Sequence, residues 1–120
     1  MQRQYRLRRR EDFARLRKQG RVWRHRVLVV SVIPNGLAHN RYGFITSKHL
    51  GKAVVRNRMR RRLREVVRRL HPLLKPGYDL AFIARQPLVD LSFPALYDVV
   101  WSLLQQANLI QPASPGDLQS

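Results

Sequence analysis

The sequence predicts an α+β fold, a small two-layer sandwich in which helices pack on a mixed sheet. Three observations support this prediction. The chain of 120 residues has the length of one domain, which we place at residues 1–110. Apolar residues make up 44 %, enough for a buried core. Segments of helical periodicity alternate with β-branched segments in the order helix, strands, helix, strand, helix.

The first elements are a basic arm and a short helix. Residues 1–9 are polar and basic and predict a loose arm. Residues 10–19 predict a helix, because two acidic residues lie in the first turn and Phe13 and Leu16 share one face. Gly20 then predicts a left-handed C-terminal cap.

Three clear strands and one shorter strand follow. Residues 26–33 are β-branched and apolar on both faces, which predicts a central strand, and residues 21–25 predict a short strand leading into it. Residues 41–46 predict the next strand, paired with the central one as a hairpin across the loop 34–40. Residues 78–84 predict the last strand.

Two further helices complete the domain. Residues 53–70 predict a long helix ended by His71-Pro72, and Ser92 predicts the N-cap of the last helix. Residues 111–120 predict a disordered tail. The apolar stripes of the two helices consist of Val55, Met59, Leu63, Val66, Val67 and Leu70, and of Leu96, Val99, Val100, Leu103 and Leu104.

Charge is the unusual property of this chain. Its formal net charge is +17, and residues 1–75 hold 23 of the 24 basic residues but three of the seven acidic ones. A positive electrostatic field of this size indicates a polyanionic partner, and nucleic acid is the first candidate. The absence of cysteine excludes disulfides and thiolate metal sites, and no apolar run is long enough for a transmembrane helix. The cytoplasm is therefore the expected location.

Eight arginines lie on the helix 53–70, where only Glu65 can relieve their mutual repulsion. Their forked guanidinium groups suit phosphate oxygens, so the helix predicts a polyanion-binding face. Asn57 either caps locally or hydrogen-bonds RNA.

The loop before the helix brings Lys48 and Lys52 beside free N–H groups, a suitable site for phosphate. Phe13, among cations, either stacks a base or belongs to the core, and composition alone favours the core.

Catalytic and metal sites are not indicated by the residues. The four histidines have no metal-ligand spacing, and the seven acidic residues are scattered rather than clustered as a two-metal nuclease site requires. We therefore expect no catalytic residue and no metal ligand in this chain.

Residues 51–65, GKAVVRNRMRRRLRE, strongly resemble the signature of the bacterial ribonuclease P protein subunit. The flanks resemble the same family: REDF at 10–13, RYG at 41–43, PGYD at 76–79 and LSF at 91–93. The resemblance implies an α-β-β-β-α-β-α fold with a left-handed β-α-β crossover. It also implies a cytoplasmic ribonucleoprotein endonuclease, a hydrolase whose magnesium-dependent active site lies in the RNA. Cleavage would remove the 5′ leader of precursor tRNA, with one protein monomer per catalytic RNA and no membrane.

The resemblance also implies roles for individual residues. Phe13 would line the cleft for the single-stranded leader, and Arg17 stands where a second aromatic residue is common. Ser31, Ile45 and His49 are further departures from the family's usual residues, as is Arg62. The residues implied at or near the catalytic RNA, with Arg68 as an extension of the same face, are Lys48, Lys52, Arg56, Asn57, Arg58, Arg60, Arg61, Arg64 and Arg68.

Other classes of function share part of this pattern. A ribosomal or other non-catalytic RNA-binding protein would have the basic helix but would not need a leader cleft. A self-sufficient protein nuclease is disfavoured by the scattered carboxylates. A cationic helix on a membrane surface is disfavoured by the strands and by the absence of tryptophan from the basic helix.

Overall fold

The elements follow one another as the sequence predicts. The computed structural model describes residues 2–85 and 88–112, and within them the order is α-β-β-β-α-β-α, which confirms the predicted α+β class. Three α-helices and four strands are formed by the described residues: α1 (Arg10–Gln19), β1 (Arg21–Arg24), β2 (Leu28–Pro34), β3 (Arg41–Ile45), α2 (Ala53–Leu70), β4 (Tyr78–Ala84) and α3 (Phe93–Gln106).

The four strands form one mixed sheet in the order β1-β2-β4-β3. β2 is antiparallel to β1 and β4, whereas β3 is parallel to β4, so α2 connects two adjacent parallel strands. The predicted hairpin of β2 and β3 is wrong, because β4 lies between them. The loop between β2 and β3 passes the start of β4 instead. There the Asn35 N–H donates to the Gly77 carbonyl at 2.9 Å, and the Tyr78 N–H donates to Asn40 Oδ1 at 2.8 Å.

The main core lies between the sheet and the helices α2 and α3. The predicted apolar stripe of α2 is buried, apart from a half-buried Val55, and that of α3 is buried apart from a half-buried Val99. Every β2 position from Leu28 to Ile33 is buried, which confirms a central strand covered on both faces. The Ser92 side chain caps α3 by accepting from the Ala95 N–H at 3.2 Å. No helix among the described residues is long and apolar enough to cross a membrane.

The opposite face of the sheet is covered by α1. Leu16 packs there in a small cluster with Leu7, Ile33 and Ala81, and Phe13 packs against the cluster from its edge. Since neighbouring residues of a strand point to opposite faces, this cluster is separated from the main core by the sheet. The molecule therefore has a partial third layer beyond the predicted two, and α1 leaves part of this face uncovered.

Gly20 ends α1 in a conformation other than the predicted one. Its φ of −68° and ψ of 146° are extended rather than left-handed, so the predicted cap is wrong. A Cβ at this position would lie 2.4 Å from the Leu16 carbonyl oxygen and 2.5 Å from Ser31 Oγ. Glycine is needed here because the chain passes very close to α1 and β2, and not because of a positive φ.

The N-terminal segment is docked, so the prediction of a loose arm is wrong for its central residues. Leu7 is buried, and its N–H donates to the Tyr42 carbonyl at 2.8 Å, while Arg6 forms a parallel bridge with Tyr42. The physical reason is that β3 lies at the edge of the sheet with unpaired backbone groups. Leu7 also supplies the apolar side chain that the small cluster beneath α1 requires.

The predicted tail begins with an anchored residue. The Gln111 N–H donates to the Leu73 carbonyl, and its side-chain amide donates to the Leu74 carbonyl, both at 2.8 Å. The remaining residues of that prediction, 113–120, lie outside the described residues.

Candidate nucleic-acid interface

The outward face of α2 carries the densest positive charge. Because the apolar stripe packs on the sheet, most of the arginines and Asn57 are directed away from the core. Asn57, Arg58 and Arg61 are exposed, and Arg60 and Arg64 are half-buried. A hollow of about 390 Å³ on this face is lined by Val54, Asn57, Arg60, Arg61 and Arg64, and the Val54 side chain in its lining is 68 % exposed.

Two of these arginines are held in place by neighbouring side chains. Arg60 donates to Thr46 Oγ1 at the end of β3 and to Asn57 Oδ1. Asn57 therefore has a side-chain partner for its oxygen, which is not the local cap predicted as one of its two roles, and its side chain remains exposed. The Arg64 guanidinium lies 5.7 Å from the centre of the Phe44 ring. Partial burial, with Arg6 and Arg60 nearby, lowers the pKa of Arg64.

Other arginines of α2 are engaged within the protein. Arg62 donates to the carbonyls of Leu88 and Leu91, which fixes the turn before α3 and gives a structural reason for an arginine at this position. Arg68 and Arg69 both pair with Glu65, at 2.7 and 3.2 Å, and these contacts lower the pKa of Glu65 to about 2. Of the residues predicted to bind RNA, Arg68 is thus partly neutralised.

The loop before α2 adds positive charge at the start of the helix. Lys48 and Lys52 are exposed, Lys52 is the N-cap without a side-chain cap, and the first turn holds no acidic residue. Arg56, one turn further, is half-buried, and its Nε has no hydrogen-bond partner among the described atoms. Since the first N–H groups of a helix carry partial positive charge, this end of α2 is suited to an anion.

A cleft of about 420 Å³ lies between α1 and the uncovered part of the sheet. The structure places both predicted cleft residues, Phe13 and Arg17, in its wall. Ser31 and Ile45, two of the departures from the family pattern, also line it, and Ser31 Oγ donates to the Leu16 carbonyl at 3.3 Å.

The floor of the cleft consists of Val29, Ala81 and Ile83. Its further cationic residues are Arg24 and Arg85.

The Phe13 ring is both a packing element and a cleft wall. It is half-buried and lies directly over Gly43, where an added Cβ would come within 2.6 Å of the ring. Glycine at position 43 therefore allows the close approach of this ring. On its other side Phe13 borders a hollow of about 150 Å³ shared with Arg6 and Arg64, so the ring lies between the cleft and the arginines of α2.

Sequence reasoning gave no role to Asp79, which anchors α1 to the sheet. Its carboxylate is fully buried and accepts from Arg41 Nε at 2.9 Å, from Arg41 Nη2 at 2.7 Å and from Asn35 at 3.0 Å. Arg15 of α1 lies 3.4 Å away, and Asp12 of α1 lies 3.4 Å from Arg41. Hydrogen bonding to Asp79 raises the pKa of Arg41. The sequence feature that could have indicated this role of Asp79 is a lone acidic residue at the start of an apolar strand.

Acidic and histidine side chains are dispersed through the part of the chain that the structure describes. Within residues 2–85 and 88–112, no three of them lie close enough together to hold a metal ion. The buried carboxylate of Asp79 is already bonded to Arg41 and Asn35.

The fold and this surface define a small, strongly basic α+β protein with a cationic helix beside a sheet cleft. A family model described as ribonuclease P matches residues 1–108. A ribonuclease P protein component of Roseiflexus castenholzii is 49 % identical over 114 residues, which cover 94 % of this chain and 93 % of the relative. The chain therefore belongs to the ribonuclease P protein family.

Solved structures agree with this assignment. The ribonuclease P protein of Staphylococcus aureus matches with a TM-score of 0.81 and 31 % identity, over 89 % of this chain and 98 % of that one. The protein from Thermotoga maritima matches with a TM-score of 0.78 and 30 % identity, over 84 % and 96 % of the two chains. The predicted fold class is confirmed by both.

Proposed function

We propose that this chain is the protein subunit of ribonuclease P, which binds a catalytic RNA and the 5′ leader of precursor tRNA. The observation that carries the proposal is the juxtaposition of an arginine face with a cleft walled by an aromatic ring. Phe13 borders both the cleft and the hollow that Arg64 lines. This arrangement suits a protein that holds two RNA segments side by side.

The face of α2 is proposed to bind the catalytic RNA. Arg58 and Arg61 are exposed and have no acidic partner within 4 Å among the described residues, so their forks are available for phosphate oxygens. Arg60 and Arg64 are pre-oriented by Thr46 and Phe44, which lowers the entropy lost on binding. The proposed RNA contacts are Lys48, Lys52, Arg56, Asn57, Arg58, Arg60, Arg61, Arg64 and Arg68.

The cleft beneath α1 is proposed to hold the leader as a single strand. Its apolar floor suits unstacked bases, and Phe13 offers a ring face on which one base can stack. Arg17, Arg24 and Arg85 line the same cleft and can face the phosphates. Stacking and backbone contacts are tolerant of sequence, as binding to many different leaders requires.

The chemistry of cleavage is proposed to belong to the RNA partner, with Mg²⁺ in the RNA-borne active site. The protein supplies substrate affinity and positioning, and the product is a tRNA with a mature 5′ end. We propose a cytoplasmic complex with one protein monomer per RNA.

Reconstitution tests the proposal directly. Adding the protein to a bacterial ribonuclease P RNA should lower the concentration of precursor tRNA needed for half-maximal cleavage. The affinity for mature tRNA should change little. A protein that bound the RNA without improving precursor cleavage would be a structural RNA-binding protein, and the proposal would be wrong.

Salt dependence is the first quantitative prediction. If about six cationic side chains neutralise phosphates, the logarithm of the association constant should fall with the logarithm of salt concentration, with a slope of about −4 to −5. The physical reason is the release of condensed counterions. Filter binding of the catalytic RNA between low and moderate salt measures the slope, and a slope near zero would contradict an electrostatic interface.

Removing two free arginines is the second prediction. Arg58→Ala with Arg61→Ala should weaken binding of the catalytic RNA and make the salt slope shallower by about 1.5 to 2, as expected for two lost phosphate contacts. Both side chains are exposed, so circular dichroism should show an unchanged fold.

The matched control removes two exposed arginines elsewhere. Arg21 at the start of β1 and Arg26 after it lie at the sheet edge opposite β3. Arg21→Ala with Arg26→Ala changes the net charge by the same amount. Equal losses of RNA affinity in both double variants would show that only total charge matters, and the specific role of α2 would be rejected.

A further inference from the structure

A second hollow, of about 520 Å³, lies beside the C-terminal end of α2. No sequence motif predicts a function for it. It is lined by Gln2, Tyr5, Tyr42, Arg68 and His71. Tyr42 points to the face of the sheet that carries α2, so this hollow is separate from the cleft beneath α1. Its volume is within the usual range for small-molecule sites.

The aromatic wall of the hollow is held rigidly. The ring centres of Tyr5 and His71 are 4.7 Å apart, and those of Tyr42 and His71 are 5.6 Å apart. The Tyr42 hydroxyl lies 2.7 Å from His71 Nδ1 and accepts from the Asn40 amide at 3.2 Å. Burial raises the pKa of Tyr42 to about 12 and lowers that of His71, the latter with a contribution from His39. The Tyr42 and His71 rings are therefore uncharged at neutral pH.

The cationic side of the hollow is equally well oriented. Arg68 donates to Glu65 through Nε at 3.0 Å and through Nη2 at 2.7 Å, which fixes the plane of its guanidinium. The other terminal nitrogen, Nη1, has no hydrogen-bond partner among the described residues, and the side chain is 61 % exposed. No acidic residue lines the hollow, and Gln2 adds an amide that can donate and accept.

We propose that this hollow binds an unpaired nucleotide of RNA, with the base against the rings of Tyr5 and His71 and the phosphate at the Arg68 guanidinium. Two aromatic rings beside one oriented cation match a nucleotide better than a free anion, which would gain nothing from the rings. They also match it better than an apolar ligand, which would leave the cation unpaired. The inference rests on the proposed function for its ligand being RNA.

The test uses the free full-length protein and adenosine 5′-monophosphate as the probe. The side-chain NMR signals of Tyr5 and His71 should shift and saturate as the nucleotide is added. Arg68→Gln should weaken this binding about fivefold, whereas the matched control Arg69→Gln should leave it unchanged. Arg69 also pairs with Glu65 and has a similar exposure of 54 %, but it does not line the hollow.

A second pair of variants separates stacking from folding. Tyr5→Leu should weaken binding about five- to tenfold, since base stacking on one ring is lost, while Tyr5→Phe should bind like the wild type. The proposal is overturned if inorganic phosphate saturates the same signals with the same Arg68 dependence, if Tyr5→Leu binds normally, or if the nucleotide shifts only residues of the α1 cleft.

The outcomes also separate this inference from the proposed function. Failure of the nucleotide to bind the hollow, in a protein that stimulates precursor tRNA cleavage, would reject the inference alone. Nucleotide binding in the hollow by a protein that gives no stimulation would reject the proposed function alone.

Discussion

Asp79→Ala is expected to lower the free energy of unfolding by about 3 kcal/mol, the lower end of the cost of breaking a buried ion pair. The variant leaves Arg41 without its bidentate partner and the Asn35 amide without one acceptor, while Asp79 itself is fully buried. The lower end applies because the Arg41 side chain is 22 % exposed and retains Asp12 at 3.4 Å. Urea unfolding followed by circular dichroism measures the change.

The control removes an acidic group from the surface. Asp98 is exposed on α3, so Asp98→Ala makes the same change in net charge and should alter the unfolding free energy by no more than about 0.5 kcal/mol. Comparable losses in the two variants would show that the effect of Asp79 arises from the overall charge of +17 rather than from its buried contacts.

Asp79→Ala should also affect binding in the cleft beneath α1. Asp79 joins β4 to β3 through Arg41 and lies 3.4 Å from Arg15 of α1, so its loss removes one of the polar contacts that hold α1 on the sheet. Because α1 forms one wall of the cleft, the folded variant should lose affinity for precursor tRNA more than affinity for the catalytic RNA. Equal losses for both ligands would show that the anchor does not shape the cleft.

Local periodicity was sufficient to predict the helices. The bounds of α1, α2 and β4 agree with the predicted ones, because glycines, prolines and apolar spacing are encoded in neighbouring residues. Pairing of β3 with β4 was not predictable in this way. The two strands are separated by α2, and the position of β3 depends on packing across that separation.

The candidate site was likewise predictable from local sequence only in part. That α2 has an arginine face follows from its 3.6-residue period, but which arginines are free depends on groups far away in sequence. Arg62 is engaged by the carbonyls of Leu88 and Leu91, and Arg60 by Thr46. The cleft assignment of Phe13 came from the family resemblance, and Gly43 beneath its ring had no local signal.

Phe13→Ala is expected to weaken binding of precursor tRNA by the holoenzyme by about 1–3 kcal/mol, the value of one stacked base. We expect the low end, since Ser31 and Arg17, which line the cleft beside Phe13, offer no further ring, and Ser31 is bonded to the Leu16 carbonyl. Affinity for mature tRNA, which has no leader, should barely change. Dissociation constants for the two tRNAs, measured with the same holoenzyme, give the comparison.

Phe13→Leu separates stacking from packing. Phe13 packs over Gly43 and against the cluster of Leu16, so alanine also removes apolar contacts, whereas leucine retains much of them and lacks a π-face. If the ring stacks a leader base, leucine should lose nearly as much precursor affinity as alanine while unfolding at nearly the wild-type urea concentration. If leucine instead restores precursor affinity, or if alanine weakens mature and precursor tRNA equally, Phe13 acts only by supporting α1, and the leader must be held by the cationic residues of the cleft alone.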